Sequence, residues 1–359
     1  MNNFLKRKNI EISLKRYGVD ALSAMAQGLF CSLLIGTIMS TLGTHFGIEL
    51  FQMTLVSSSG VDYTLGSIAS AMSGPAMACA IGTALHCPPL VLFSLIPVGF
   101  ATNALGGAGG PLAVFCISII ASECGKIVSK ETKIDILVTP FVTILTGTLL
   151  AGILAPTIGQ AAMKLGDVIQ VSTTLHPFLM GIAVSVLVGI SLTLPISSAA
   201  ICAALNLTGL AGGAALAGCC AQMIGFAAIS FKENGIGGFI SQGLGTSMLQ
   251  MPNIIKNPKI WIAPLITSAI TGPLATCLFH LEMNGAAISS GMGTCGLVGQ
   301  IGVYTGWLNE LESGTRLAIT SSDWMALLLI SFLLPAFLSL IIHFFVRKAG
   351  LVKDGDLKI

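Results

Sequence analysis

From Trp324 to Phe345 the chain runs 22 residues without an Asp, Glu, Lys or Arg. A helix needs about 20 apolar residues to cross the hydrocarbon core of a bilayer. Similar runs recur from about Ala21 to Leu42, Leu65 to Leu85 and Ile260 to Phe279. Only 9% of the 359 residues are charged, against about 25% in soluble domains. Too few charges remain to cover a water-facing surface. The expected fold is all-α: a polytopic integral membrane protein of about 8–11 transmembrane helices, allowing for tails and loops. Its 42 glycines point to closely packed helices, since small residues let helix backbones approach.

Composition also excludes several functions. A net charge of +2 without a basic stripe argues against nucleic acid. The 10 cysteines lie singly or in one adjacent pair inside apolar runs. They read as small buried side chains, with no metal site, disulfide framework or cofactor expected. GLGTSM and GMGTCG lack the GK[ST] ending of a phosphate-binding loop. No Ser/His/Asp set is arguable, so no catalytic residue is expected.

Basic residues orient the chain. Lys6, Arg7, Lys8, Lys15 and Arg16 precede the first run, which is longer than a signal-peptide core. Residues 1–19 are therefore read as a cytoplasmic segment, 20–348 as one transmembrane domain, and 349–359, after Arg347 and Lys348, as a cytoplasmic tail. The stretch 45–64 is expected as a loop or interfacial half-helix, and the region of Lys164 and Asp167 as a polar connection. Pro88-Pro89 should end one helix and start the next. Residues 201–228, interrupted by LTGLAGG, allow two short elements or one bent helix.

Two Gly-rich breaks, Thr102–Pro111 and Glu233–Pro258, read as re-entrant hairpins. The second, ENGIGGFISQGLGTSMLQMPNIIKNP, concentrates amides, hydroxyls and a carboxylate between apolar segments. Polar, broken backbone at membrane depth belongs where it lines a cavity. LGGAGGPLAVF…KIDILVTPFVTILTGTLL and NGIGGFISQGL…KIWIAPLITSAITGPLATCLF echo one another, marking a candidate internal repeat whose broken helices would meet at the substrate.

Ionisable groups at bilayer depth cost at least about 2.5 kcal/mol and mark sites. Glu233 beside Asn234, and Glu282 two residues before Asn284, pair a carboxylate acceptor with an amide that donates and accepts. This chemistry suits hydroxyl-rich ligands. Helix capping at the water interface is the plainer reading of both. Gly237, Gly238, Gln242 and Thr246 would complete the first group, and Asn103 holds the equivalent place in the first break. His86, at the Cys-Pro-Pro break, is the histidine best placed for binding or proton chemistry, while His280 reads as an interfacial helix end.

The string GGFISQGLGTSM…PNIIKNPKIWI resembles the EIIC-type membrane proteins of the phosphotransferase system, in the branch that includes the perfringolysin regulator-like proteins, over nearly the whole chain. The resemblance implies a helical homodimer in a bacterial cell membrane. It implies sugar uptake coupled to phosphorylation by separate cytoplasmic EIIB and EIIA-like subunits, with no phosphorylation site in this chain. The glucose-type Gly-Ile-Thr-Glu motif is absent; Asn234-Gly235-Ile236-Gly237 stands there instead. A membrane sensor without transport, or an ion-coupled carrier of a small metabolite, are the alternative readings.

Overall fold

The computed structural model describes residues 2–58 and 60–359, and most of them are helical. Among the described residues, six helical segments are long and apolar enough to cross a membrane, or seven when the bent pair Leu65–Ala71 and Ser73–Ala84 counts as one span. Large apolar side chains such as Phe141, Ile153, Phe337, Phe344 and Phe345 stay more than 60% exposed. That is the surface a lipid-facing helix presents. The chain is an all-α polytopic membrane protein.

One of the six, Pro89–Val128, doubles back. Its two arms, Pro89–Gly106 and Gly110–Val128, pack against each other. A methyl built on Gly125, near the end of the second arm, would lie 2.9 Å from Val91 at the start of the first. The turn falls at Gly107, whose φ of 49° and ψ of −121° place it where a side chain is strained. Pro89 and Pro111 sit in the first turn of their arms, where proline's missing N–H costs nothing. With the arms counted apart and the 17-residue apolar helix Pro177–Thr193 included, the number of membrane-length helices falls within the expected range.

Residues group into two compact units, 1–162 and 163–359. The first holds the N-terminal segment, the long helical run Lys15–Thr44, the bent pair and the 89–128 hairpin. Its stretch after Phe46 is neither plain loop nor half-helix. A short helix, Glu49–Gln52, leads into the antiparallel strands Thr54–Ser58 and Val61–Thr64. The helix Asp135–Thr173 runs 39 residues through Pro140 and Pro156, about 58 Å. It corrects the expected connection, because Lys164 and Asp167 lie within it and not in a loop.

In the second unit the sequence 198–229 forms two elements, Ser198–Ala204 and Gly209–Ile229. Every residue of the latter from Gly212 to Ile229 is buried, and Pro177–Thr193, Ile262–Pro273 and Leu334–Lys348 pack on it. Glycine makes the closest crossing possible. A methyl on Gly218 would come within 1.8 Å of the Ser185 carbonyl oxygen. The central helix joins two apolar clusters. Leu216, Met283, Val303, Trp307 and Ile330 belong to one; Phe226, Ile254, Ile260, Val346 and Leu357 belong to the other.

The two echoing segments share a positive-φ glycine break, at Gly107 and at Gly235. The parallel stops there. An unbroken 19-residue helix follows the first. The second continues through the π turn Ser241–Gly245, extended Thr246, the 3-10 turn Ser247–Gln250 and the short helix Met251–Lys256.

Candidate functional site

The polar stretch lies at the end of the second unit that also holds residues 351–359. Asn234 donates from Nδ2 to the Leu357 carbonyl at 2.8 Å, and its Oδ1 accepts from the Ile359 N–H at 2.9 Å. Glu233 Oε2 accepts from the Leu357 N–H at 3.1 Å. Gln242 is fully buried; its Nε2 donates to Ser230 and to the Gly238 carbonyl, and its Oε1 accepts from Gln250 at 2.8 Å. Thr246 caps the following 3-10 turn by accepting from the Met248 N–H. Gly238 packs tightly on Asn234, while Gly237 faces open space. These residues do come together, and the groups they pair with belong to the chain itself. Arg347 bonds to Asp354, which also lies 3.7 Å from Lys232. The Arg347 hydrogen bond and charge, with Lys232 helping, hold the Asp354 carboxyl below its ordinary value.

Glu282 and Asn284 sit at the opposite end of the Gly209–Ile229 helix. Residues 279–286 follow the Pro258–Leu278 span, and Gly209 and Met283 exchange backbone hydrogen bonds as an isolated bridge. Asn284 Oδ1 accepts from the Gly209 N–H at 3.1 Å, which fixes the amide's orientation. Its Nδ2 then donates to Glu282 Oε2 at 2.8 Å and to Glu310 Oε1. Arg316 donates to Glu310 Oε2 and to Asp323 Oδ2, both at 2.8 Å, and lies over the Trp307 ring at 5.5 Å. The result is an open cavity of about 600 Å³ lined by His280, Glu282, Asn284, Glu310, Thr315 and Arg316, within the usual range for small-molecule sites. It offers carboxylate acceptors, an amide and a guanidinium on one wall, a set that can bond several hydroxyls at once.

Glu310, Thr315 and Arg316 were not legible as site residues, and NELESGTR reads in sequence simply as a charged loop. The one available signal is a Glu and an Arg flanking Ser-Gly, a turn that returns the chain. Gln222 was also missed. It is fully buried in the central helix, where Oε1 accepts from Trp261 Nε1 at 2.7 Å and Nε2 donates to Ser268 at 3.2 Å. Thr193 bonds both Gln222 and Ser247, which ties the polar stretch to the bundle.

Asn103 and His86 belong to the first unit. Asn103, half-buried before the Gly107 turn, donates to Ser73 at 3.3 Å. His86 is exposed with a φ of 55°, ending the Ser73–Ala84 helix, the capping role that a lone histidine at a helix end most simply has. The charged cluster of this unit lies beside it. Lys126, 1% exposed, pairs with Glu123 at 2.8 Å and donates to the carbonyls of Asn9 and Leu85. Arg16 also donates to the Leu85 carbonyl at 2.7 Å, and Tyr17 to Glu123. Cations at a helix C-terminus meet its partial negative charge. Arg7 and Lys8 pair with Glu131, putting the N-terminal segment and the 129–134 loop on one face; the Lys8 hydrogen bond and both charges hold the Glu131 carboxyl below its ordinary value.

No curated protein and no solved structure matches the chain. The apolar helical bundle, with broken polar segments inside it, instead matches a family model, described as Phosphotransferase system, EIIC, over residues 19–359. The chain belongs to that family, and it is a membrane permease component of a phosphotransferase system.

Proposed function

We propose that the chain binds a sugar at the Glu282–Asn284–Glu310 cavity and translocates it for phosphorylation by separate EIIB and EIIA-like subunits, working as a homodimer. One observation carries the reading. A single amide, oriented by a backbone N–H, bridges two carboxylates in a cavity of about 600 Å³ at the end of membrane-length helices. Glu282, Asn284 and Glu310 bond the sugar hydroxyls, and Arg316 keeps Glu310 in place.

Charge asymmetry supports an orientation. The end holding residues 351–359 carries Lys232, Lys256, Lys259, Arg347, Lys348, Lys353 and Lys358 against Glu233, Asp354 and Asp356; the cavity end carries Glu282, Glu310, Glu312 and Asp323 against Arg316. By the excess of Lys and Arg on the cytoplasmic side, the cavity opens outward and residues 349–359 lie inside. The same rule puts residues 1–19 in the cytoplasm. Family membership supports a bacterial plasma membrane as the location, with residues 20–348 as one transmembrane domain.

Glu310→Gln tests the site. Replacing a part-buried, charge-assisted acceptor loses about 1.5–3 kcal/mol, so uptake of labelled sugars in cells expressing the partner subunits should show apparent affinity lowered about 10- to 150-fold. Unchanged uptake by Glu282→Gln and Glu310→Gln together would exclude this cavity. Ligand binding without uptake in wild type would favour a sensor, and loss of uptake on collapsing the ion gradient with the partner subunits intact would favour an ion-coupled carrier.

A further inference from the structure

We propose that residues 351–359 form a displaceable latch that clamps the two flanks of the Gly235 break together. The segment is held mainly through its own main chain. Asn234 imitates a neighbouring strand, with one amide group donating to the Leu357 carbonyl and accepting from the Ile359 N–H. On the other flank, Gln250 donates to the same Leu357 carbonyl at 2.9 Å, and Asn253 donates to the Lys358 carbonyl at 2.9 Å. Asn257 reaches the Leu351 carbonyl at 3.2 Å and Asp356 Oδ2 at 2.8 Å. Residue 234, just before the break, and residues 250–257, beyond it, are thus tied to one short strap.

The first part of what lies between the flanks, 235–240, is mostly exposed, whereas 242–248 is largely buried. Gly235 has a φ of 61° and a ψ of −161° inside an otherwise helical segment, with no atom within 4 Å of a side chain built there. Gly237 is equally open. Ile236 and Ile240 are 70% and 50% exposed, so little packing holds 235–240 apart from the clamp. The strap has two buried apolar anchors, Val352 at 3% and Leu357 at 1% exposure, in the cluster of Phe226, Ile254 and Ile260, with partly buried Leu351 packed against it. Gly350 and Gly355, at φ values of 72° and 93°, provide its bends. A segment with few apolar contacts and hydrogen bonds near the surface opens at lower cost than the core. Its release frees residues 235–240, while the Gln242–Ser230 and Thr193–Ser247 bonds keep 242–247 and the helices in place.

Hydrogen exchange of the full chain in lipid nanodiscs tests this, read by mass spectrometry without any transport step. In wild type the amides of Leu357 and Ile359 should be protected. Leu357→Asp puts a charge into an apolar cluster and should release the strap. Exchange at residues 351–359 should then reach the rate of a free peptide, and exchange at 236–240 should rise at least tenfold. Leu357→Ser removes the anchor without burying a charge and should move both segments in the same direction by less, which keeps the test available if the first variant does not fold. Free-peptide exchange at 357 and 359 in wild type overturns the latch. So does release of 351–359 with no change at 236–240.

Discussion

Asn284→Asp replaces one oxygen-and-nitrogen fork by two oxygens of nearly the same shape, so it isolates the donor. In the native chain Nδ2 bonds two carboxylates while Oδ1 is taken by the Gly209 N–H. The variant keeps the Gly209 contact and brings a third carboxylate against Glu282 and Glu310. The bond to Glu282 is solvent-exposed and counts for about 0.2–1 kcal/mol, like other exposed charged contacts. The part-buried bond to Glu310 counts for about 1.5–3 kcal/mol. Their loss totals about 2–4 kcal/mol, or about 30- to 700-fold in affinity at 1.4 kcal/mol per factor of ten. Repulsion among the carboxylates adds to this. Uptake of a labelled sugar panel, with surface expression checked in parallel, measures it. Lowering the pH should recover part of the loss, since the introduced carboxyl, once protonated, donates again. Wild-type uptake by the variant at neutral pH would refute the argument that this amide organises the site.

The first unit offers a stability test. Lys126→Met leaves the Glu123 carboxylate without its cation and should lower stability by about 3–5 kcal/mol, while Lys126→Met with Glu123→Gln should recover much of the loss; thermal unfolding in detergent compares them. Gln222→Leu strips the part-buried Trp261 N–H of its acceptor and should cost about 1–3 kcal/mol, seen as a lower midpoint and an altered Trp emission. The sign of a pH effect follows from Asp354. Its folded carboxyl lies below its ordinary value of 3.8, so its ties to Arg347 and Lys232 are complete at neutral pH. They should be lost as the pH falls through that lowered value, and high salt should weaken them at any pH; protease sensitivity of residues 349–356 reports both.

The bilayer imposes its demand on each segment separately, which is why the apolar helices were readable from local sequence. Pro88-Pro89 and Gly107 punctuate the chain by restricting their own backbone, and they too could be read in place. Lys164 and Asp167 misled because polar residues interrupt a run without interrupting a helix. The hairpin 54–64 gave no clear signal among its mixed residues. The site divides along the same line. Glu282 and Asn284 are two residues apart and were legible as a pair; Glu310 lies 26 residues beyond Asn284 and arrives only through folding of the 298–312 helix and its loop. The amides of 234–257 were recognisable as unusual, but those of Asn234, Gln250, Asn253 and Asn257 find partners among the main-chain atoms of 351–359. Main-chain atoms are the same in every sequence, so no pattern could reveal them.

The burial of the Gly209–Ile229 helix has a consequence for biogenesis. Leu, Ile, Phe and Val drive a segment from the translocon into lipid, and this helix is built largely of Gly, Ala, Cys and Gln222. Those residues suit contact with other helices better than contact with acyl chains. Of its packing partners, Pro177–Thr193 is made before it, and Ile262–Pro273 and Leu334–Lys348 are made after it. The ribosome must therefore deliver the later helices before the central one has its full shelter, and a nascent chain stopped at Ile229 should integrate less efficiently than one stopped at Leu278.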